Sequence, residues 1–188
     1  PPPINNDWVL TRQGVVKQGI FQNLLNFFTL PDGGLCKVFA FNDFTCRVEF
    51  ARPAPWHKNR LPSSRGVSDH DLQLLRGFLS TKHRYDATLI DISAAITNTA
   101  YHDRFHPVRE YLIGLKWDNV ARLDFWLRDF LGVEDTPYTR ACARKTLCAA
   151  VARVMRPGVK FDHVLILEGA QDVGKSTTVD ILGGEWSS

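Results

Sequence analysis

The run Gly169-Ala170-Gln171-Asp172-Val173-Gly174-Lys175-Ser176 sets two glycines, a lysine and a hydroxyl at the spacing GxxxxGK[ST], soon after the apolar run Val164-Leu165-Ile166-Leu167. Residue types in that order suit one chemistry, the cradling of linked phosphates. The glycines let several backbone N–H groups converge on one anion, and a helix opening at the end of the loop adds its partial positive charge. In such a loop Lys175 reaches the β- and γ-phosphates and the Ser176 hydroxyl holds Mg²⁺. The expected site is therefore Gly169, Ala170, Gln171, Asp172, Val173, Gly174, Lys175, Ser176 and Thr177, with ATP and Mg²⁺ as cofactors and Ser176 as the metal contact. No catalytic residue is assigned. The plainer alternative is a glycine-rich turn that only joins a strand to a helix. Asp172 lends it weight, because a carboxylate in the loop adds negative charge where a triphosphate would lie, although Asp accepts unusual backbone angles better than most residues.

Hydrolysis asks for more than a loop. A carboxylate on a further strand must help hold Mg²⁺ or orient water, and an arginine commonly stabilises the transition state. Only Thr177 to Ser188 follow the loop. The chain by itself is expected to bind nucleotide weakly and not to turn it over, so whether it is an enzyme stays open.

The elements that position the loop read as mainly α with a small β-hairpin, followed by the truncated start of a P-loop α/β domain. Residues 14–30 carry apolar side chains at helical spacing (Ile20, Leu24, Leu25, Phe28) and stop at Pro31-Asp32-Gly33-Gly34. Strands are expected near 35–41 and 44–50, bracketing Asn42-Asp43, and an irregular connection over 51–66. Ser68 caps a helix with Leu72, Leu75 and Leu79 on one face. Further helices are expected over 88–101, over 107–115 from Pro107, over 123–131 closed by Gly132, and from Thr136-Pro137 to Met155. Val164 to Leu167 reads as a buried parallel strand and 174–182 as the helix after it. The domain expectation is thus 1–159 helical with an inserted hairpin, and 160–188 the beginning of the nucleotide-binding domain.

Composition narrows the class. In 188 residues an apolar fraction of 44% with 12 Phe and 5 Trp provides a core. No apolar run approaches the roughly 20 residues that span a bilayer, and residues 1–6 carry neither a basic nor an apolar leader segment. Cytoplasmic location without membrane contact is expected, consistent with cysteines at 36, 46, 142 and 148 that form no CxxC pair and read as structural thiols. His102 and His106 lack a third ligand nearby and read as no metal site.

Charge is local. One basic run holds Arg47, Arg52, Lys58, Arg60 and Arg65, with Glu49 the one acid among them; a second holds Arg140, Arg144, Lys145, Arg153, Arg156 and Lys160 with none. Either could face phosphate, and the bland reading of each is solvated surface. Trp56, His57, Lys58 and Arg60 mix aromatic and basic groups as single-strand binders do, against a packed Trp with solvated charges. Trp117 reads as core, and Arg109 and Glu110 as surface helix partners.

Three stretches carry a family likeness: YHDRFHPVREYLIGLKWDNVARLDFWLRDFLG, TPYTRACARKTLCAAVARVMRPGVKFDHVLILEGAQDVGKST and ILGGEW, with weaker likeness through KVFAFNDF and SDHDLQLLRGFL. In these the chain resembles the virulence-associated protein E (VapE or VirE-like) proteins of prophages, plasmids and pathogenicity islands. The resemblance implies a P-loop ATPase similar to superfamily 3 and AAA+ helicases, a ring-forming homo-oligomer acting on DNA, expected to be single-stranded. It carries the nucleotide-binding role to Gly169, Gly174, Lys175 and Ser176, and no Walker B acid or arginine finger. Where Asp172 stands the family usually has glycine, and where Ser187 stands usually an aromatic residue.

Three functions compete at this stage. One is a fragment of a mobile-element helicase ATPase whose parent couples hydrolysis to DNA unwinding. Another is a non-enzymatic DNA-binding or oligomerisation module. The third is a P-loop kinase or GTPase of small-molecule metabolism, which would ordinarily carry its loop near the start of its domain.

Overall fold

The computed structural model describes residues 8–62 and 65–187, and in it the Asn23 side chain ties down the segment before the first helix. Its amide accepts from Val9 N at 2.7 Å and donates to the carbonyls of Val9 (2.7 Å) and Lys17 (2.9 Å), so a fully buried Asn is satisfied. Residues 1–7, which include the N-terminal stretch read for a leader, and Ser63 and Ser64 of the expected irregular connection lie outside the described residues.

The helix expected over 14–30 begins later. Leu10 and Val16 form an antiparallel bridge, and Gly14 and Gly19 take left-handed backbone (φ 77° and 70°), a conformation no helix continues through. The helix α1 is Phe21–Thr29; it buries Leu24, Leu25, Phe27 and Phe28 and ends before Pro31.

The strands β1 (Phe39–Asn42) and β2 (Arg47–Phe50) are shorter than expected, because the Asn42 side chain accepts the N–H groups of Phe44 (2.9 Å) and Thr45 (3.2 Å) and widens the turn. They pair antiparallel with Phe39 opposite Phe50. The helix α2 (Asp69–His83) starts from a reciprocal cap: Ser68 N donates to Asp71 Oδ2 at 3.0 Å, and Asp71 N donates to Ser68 Oγ at 3.3 Å. The helix α3 (Leu89–Ala100) comes next, then β3 (Arg104–Phe105), two residues that pair parallel with β1 and carry no strand signal of their own. The sheet order is β2-β1-β3. Leu75 and Leu79 of α2, Ile92, Ala95 and Ile96 of α3, and Phe27 and Phe50 are all nearly or fully excluded from solvent and form one core. At about 25 cal/mol per Å² of apolar surface, this burial is the main term holding the unit together.

After it come α4 (Pro107–Gly114), α5 (Trp126–Leu131), α6 (Pro137–Met155) and α7 (Lys175–Gly183). Thr136 caps α6 through a hydroxyl that accepts from Thr139 N at 3.1 Å. Gly132 ends α5 in left-handed backbone. The expected mainly α chain with a small β-hairpin is the architecture found.

By compactness the chain divides into Pro1–Pro107 and Val108–Ser188. In the second unit α6 packs with the segment C-terminal to it: Ala143 is fully buried with Trp126 and Leu127, and Leu147, Leu165 and Leu167 lie against them. The expected buried strand at Val164–Leu167 does not form a ladder. The segment takes no regular secondary structure, with Leu165 and Leu167 half-buried while Val164 and Ile166 stand 83% and 74% exposed. A strand exists by hydrogen bonding to a neighbour, and among the described residues none pairs with this one. No helix among the described residues is long and apolar enough to cross a membrane.

Candidate functional site

The glycine-rich loop lies in the second unit, between the irregular stretch 161–169 and the first turn of α7. Its curvature comes from two left-handed residues. Gly174 (φ 85°, ψ 15°) immediately precedes α7, where a side chain would be strained, and Asp172 sits at φ 62°. The second angle gives a physical reason for the glycine usual at that position in the family the sequence resembles. Asp is among the few other residues that tolerate it, and here it does so with an exposed side chain. Gly169 is limited by space: a Cβ there would stand 3.4 Å from Val173 Cγ2.

Three kinds of donor collect at the end of this loop. The first helical bond of α7 runs from Thr178 N to Gly174 O at 3.0 Å, so the N–H groups of Lys175, Ser176 and Thr177 precede it and have no intrahelical acceptor. The Lys175 ammonium turns back and donates to the carbonyls of Gly169 (3.0 Å) and Ala170 (2.6 Å). The Ser176 hydroxyl is exposed and makes no hydrogen bond among the described residues. Ala170, Gln171, Val173 and Thr177 are exposed along the same stretch. Backbone donors, an ammonium and a free hydroxyl share one capacity, which is to receive an anion and a cation bound to it. Among the described residues no cluster of three or more His, Cys, Asp or Glu side chains could hold a metal by itself.

Sequence reasoning missed the flank of the loop. A cavity of about 520 Å³ is bounded by Val173, Gly174, Thr177, Thr178, Ile181 and Leu182 on the loop and α7, and by Trp126, Phe130, Leu131 and Leu147 on α5 and α6. The spacing 174, 177, 178, 181, 182 was a legible helix face. The residues opposite it come from more than 25 positions upstream and carry no local signal for the loop.

Other residues noted in the sequence fall elsewhere. Trp117, expected in the core, is 73% exposed on a turn that closes on itself: Val120 N donates to Asp118 Oδ1 at 3.1 Å and Arg122 pairs with Asp118 at 2.8 Å. The Arg122 guanidinium, with the Val120 N–H, holds the Asp118 carboxyl down to about 2. Arg109, expected on the surface, is half-buried and donates to Val154 O of α6 at 3.1 Å. Trp56 and His57 are half-buried in the first unit, where His57 packs edge-on to Phe50 at 4.7 Å and stands 3.5 Å from Asp71, while Lys58 and Arg60 are exposed. That is a packed Trp with solvated charges.

Residues 112–188 match the family model described as the virulence-associated protein E-like domain. No curated protein matches the chain.

Proposed function

Because residues 112–188 match the model of the virulence-associated protein E-like domain, we propose that the loop from Gly169 to Thr177 receives the phosphates of ATP together with Mg²⁺. In this reading the chain is part of a mobile-element replication helicase, in which hydrolysis by the whole protein drives DNA unwinding. The observation that carries the reading is the geometry at the start of α7. There the N–H groups of Lys175 to Thr177 precede the first helical bond and have no intrahelical acceptor, and the Lys175 ammonium already bends back to the loop carbonyls. Phosphate oxygens replace the carbonyls of Gly169 and Ala170 as acceptors for the lysine. The exchange trades neutral acceptors for charged ones and so favours the anion. Ser176 supplies one oxygen ligand to Mg²⁺, which neutralises phosphate charge. The side chains of this chain therefore bind and orient; none is assigned to activate water.

The test is titration of a fluorescent ATP analogue in Mg²⁺ against the chain and its Lys175→Ala variant. Saturable binding that the variant loses supports the reading. Equal binding by both, or none by either, removes the loop as a nucleotide site. A second reading, a DNA-binding or oligomerisation module without turnover, draws support from the exposed cations of the first unit.

A further inference from the structure

The two basic runs look alike in sequence and differ in the fold. In the second, Arg140 pairs with Asp135 at 2.6 Å, Arg144 pairs with Asp124, Lys160 lies 3.1 Å from Asp162, and Arg153 donates to Phe161 O at 3.0 Å. Acids absent from the run itself are brought to Arg140 and Arg144 by the turns flanking α5. In the first unit Lys37, Arg47, Lys58, Arg60 and Arg65 are exposed, and among the described residues none has an acidic partner within ion-pair distance. Arg52 gives one N–H to Cys36 O at 3.4 Å.

The acids nearby are taken. Asp43 holds Arg104 at 2.6 Å; Glu49 accepts from Asn42 (2.9 Å) and Thr45 (2.8 Å); Asp71 is engaged by Ser68 and His57. Residues 37–65 contain six Lys and Arg against Asp43 and Glu49 alone, an excess of four where the whole chain has +3.

The fold collects these cations around β2, an edge strand. The connection after it returns alongside, with Glu49 bridged to Gly66 and Phe50 N donating to Arg65 O at 2.8 Å. Ala51 N and Arg52 N both donate to Val38 O, which puts Arg52 beside Lys37. His57, against Phe50, anchors the turn that carries Lys58 and Arg60. Aromatic residues of the same unit open to solvent include Phe44 (46%) in the hairpin turn and Tyr101 (45%), which stacks on Phe41 at 4.3 Å. Unpaired like charges repel one another, and a polyanion relieves that repulsion while releasing its own counterions.

We propose that the β1–β2 hairpin, with Lys58, Arg60 and Arg65 that follow it, forms a binding surface for single-stranded nucleic acid. Lys37, Arg47, Lys58, Arg60 and Arg65 meet the phosphates, and Phe44 offers a stacking face for a base. The surface lies outside the residues matched to the family and does not depend on the phosphate loop.

The test measures binding of a labelled oligothymidylate of about 30 nucleotides to the full chain over about 50 to 200 mM salt. The Arg47→Ala/Lys58→Ala/Arg60→Ala/Arg65→Ala variant should lose at least about tenfold in affinity, and its salt slope should flatten by about 3, four contacts at about 0.7 each. Phe44→Ala should weaken binding with the slope unchanged. Arg140→Ala/Arg144→Ala and Lys175→Ala should bind as the parent does, which separates failure here from failure of the phosphate loop. Lys58→Ala/Arg60→Ala gives the same direction if the fourfold variant does not fold. Unchanged affinity in the cation variants, an equal loss in the Arg140/Arg144 control, or capture by phosphatidylserine vesicles without binding to the oligonucleotide would overturn the proposal. Equal affinity for duplex, with Phe44→Ala silent, would overturn its single-strand part.

Discussion

The Lys175 ammonium donates to the Ala170 carbonyl at 2.6 Å, so the side chain that the motif assigns to phosphate also holds the loop closed. On a half-exposed lysine such a bond is worth on the order of 1 kcal/mol after solvent screening. Lys175→Met should therefore loosen the loop in the absence of any ligand. Limited proteolysis within 169–174 is the measurement, and a severalfold faster cleavage in the variant is the expected result. Identical cleavage would mean the lysine does not brace the loop.

Asp172 carries two penalties at once, a left-handed backbone (φ 62°) and a negative charge in a loop read as anion-binding. Asp172→Gly should raise stability by about 0.5 to 1 kcal/mol and tighten binding of the fluorescent ATP analogue. Asp172→Val, β-branched at positive φ, should do the reverse on both counts. Thermal melts and the titration check the pair, and an unaltered or weakened Gly variant would count against the strained geometry.

Gly33 has no room for a side chain: a Cβ would collide with the backbone of Phe27 from its Cα to its carbonyl oxygen. Backbone in a helix terminus yields little, so Gly33→Ala should cost at least about 2 kcal/mol, seen as a lower urea midpoint for unfolding. Gly77→Ala, where nothing lies within 4 Å, is the control and should be neutral or stabilising.

His83 packs between Phe27 (4.7 Å) and Phe78 (5.4 Å). Burial pushes its pKa below the usual 6.5, with Lys82 adding to the effect and Asp32 opposing it. With the folded value depressed, the unfolded chain binds the proton more readily. The stabilisation is complete above 6.5 and is lost as pH falls through the lower folded value. The melting temperature should drop between about pH 7 and 5, and His83→Leu should flatten that part of the profile. A parent and variant with parallel profiles would assign the acid sensitivity to other groups.

Much of this was legible in local chemistry. Ser68 with Asp71, Thr136 with Pro137, and Gly132 after α5 located helix ends, since caps and left-handed closures are decided within a few residues. The loop motif at Gly169 to Ser176 announced itself in the same way, through residue types whose backbone freedom and donors act locally. Less was visible at residues 14–20, where apolar spacing suggested helix and two left-handed glycines with a Leu10–Val16 bridge prevailed.

The sequence by itself therefore determined the helical inventory and the hairpin, both consequences of short-range sterics and hydrogen bonding. Tertiary structure alone decided matters that depend on partners far along the chain. It joined β3 to β1, set Trp117 in solvent and left Val164 to Leu167 without a ladder. It also paired Arg144 with Asp124 while leaving Arg47, Lys58, Arg60 and Arg65 open. A run of charges records how many cations there are; which of them are neutralised depends on the acids that folding brings within a few ångströms, because the attraction between charges fades beyond that range in water.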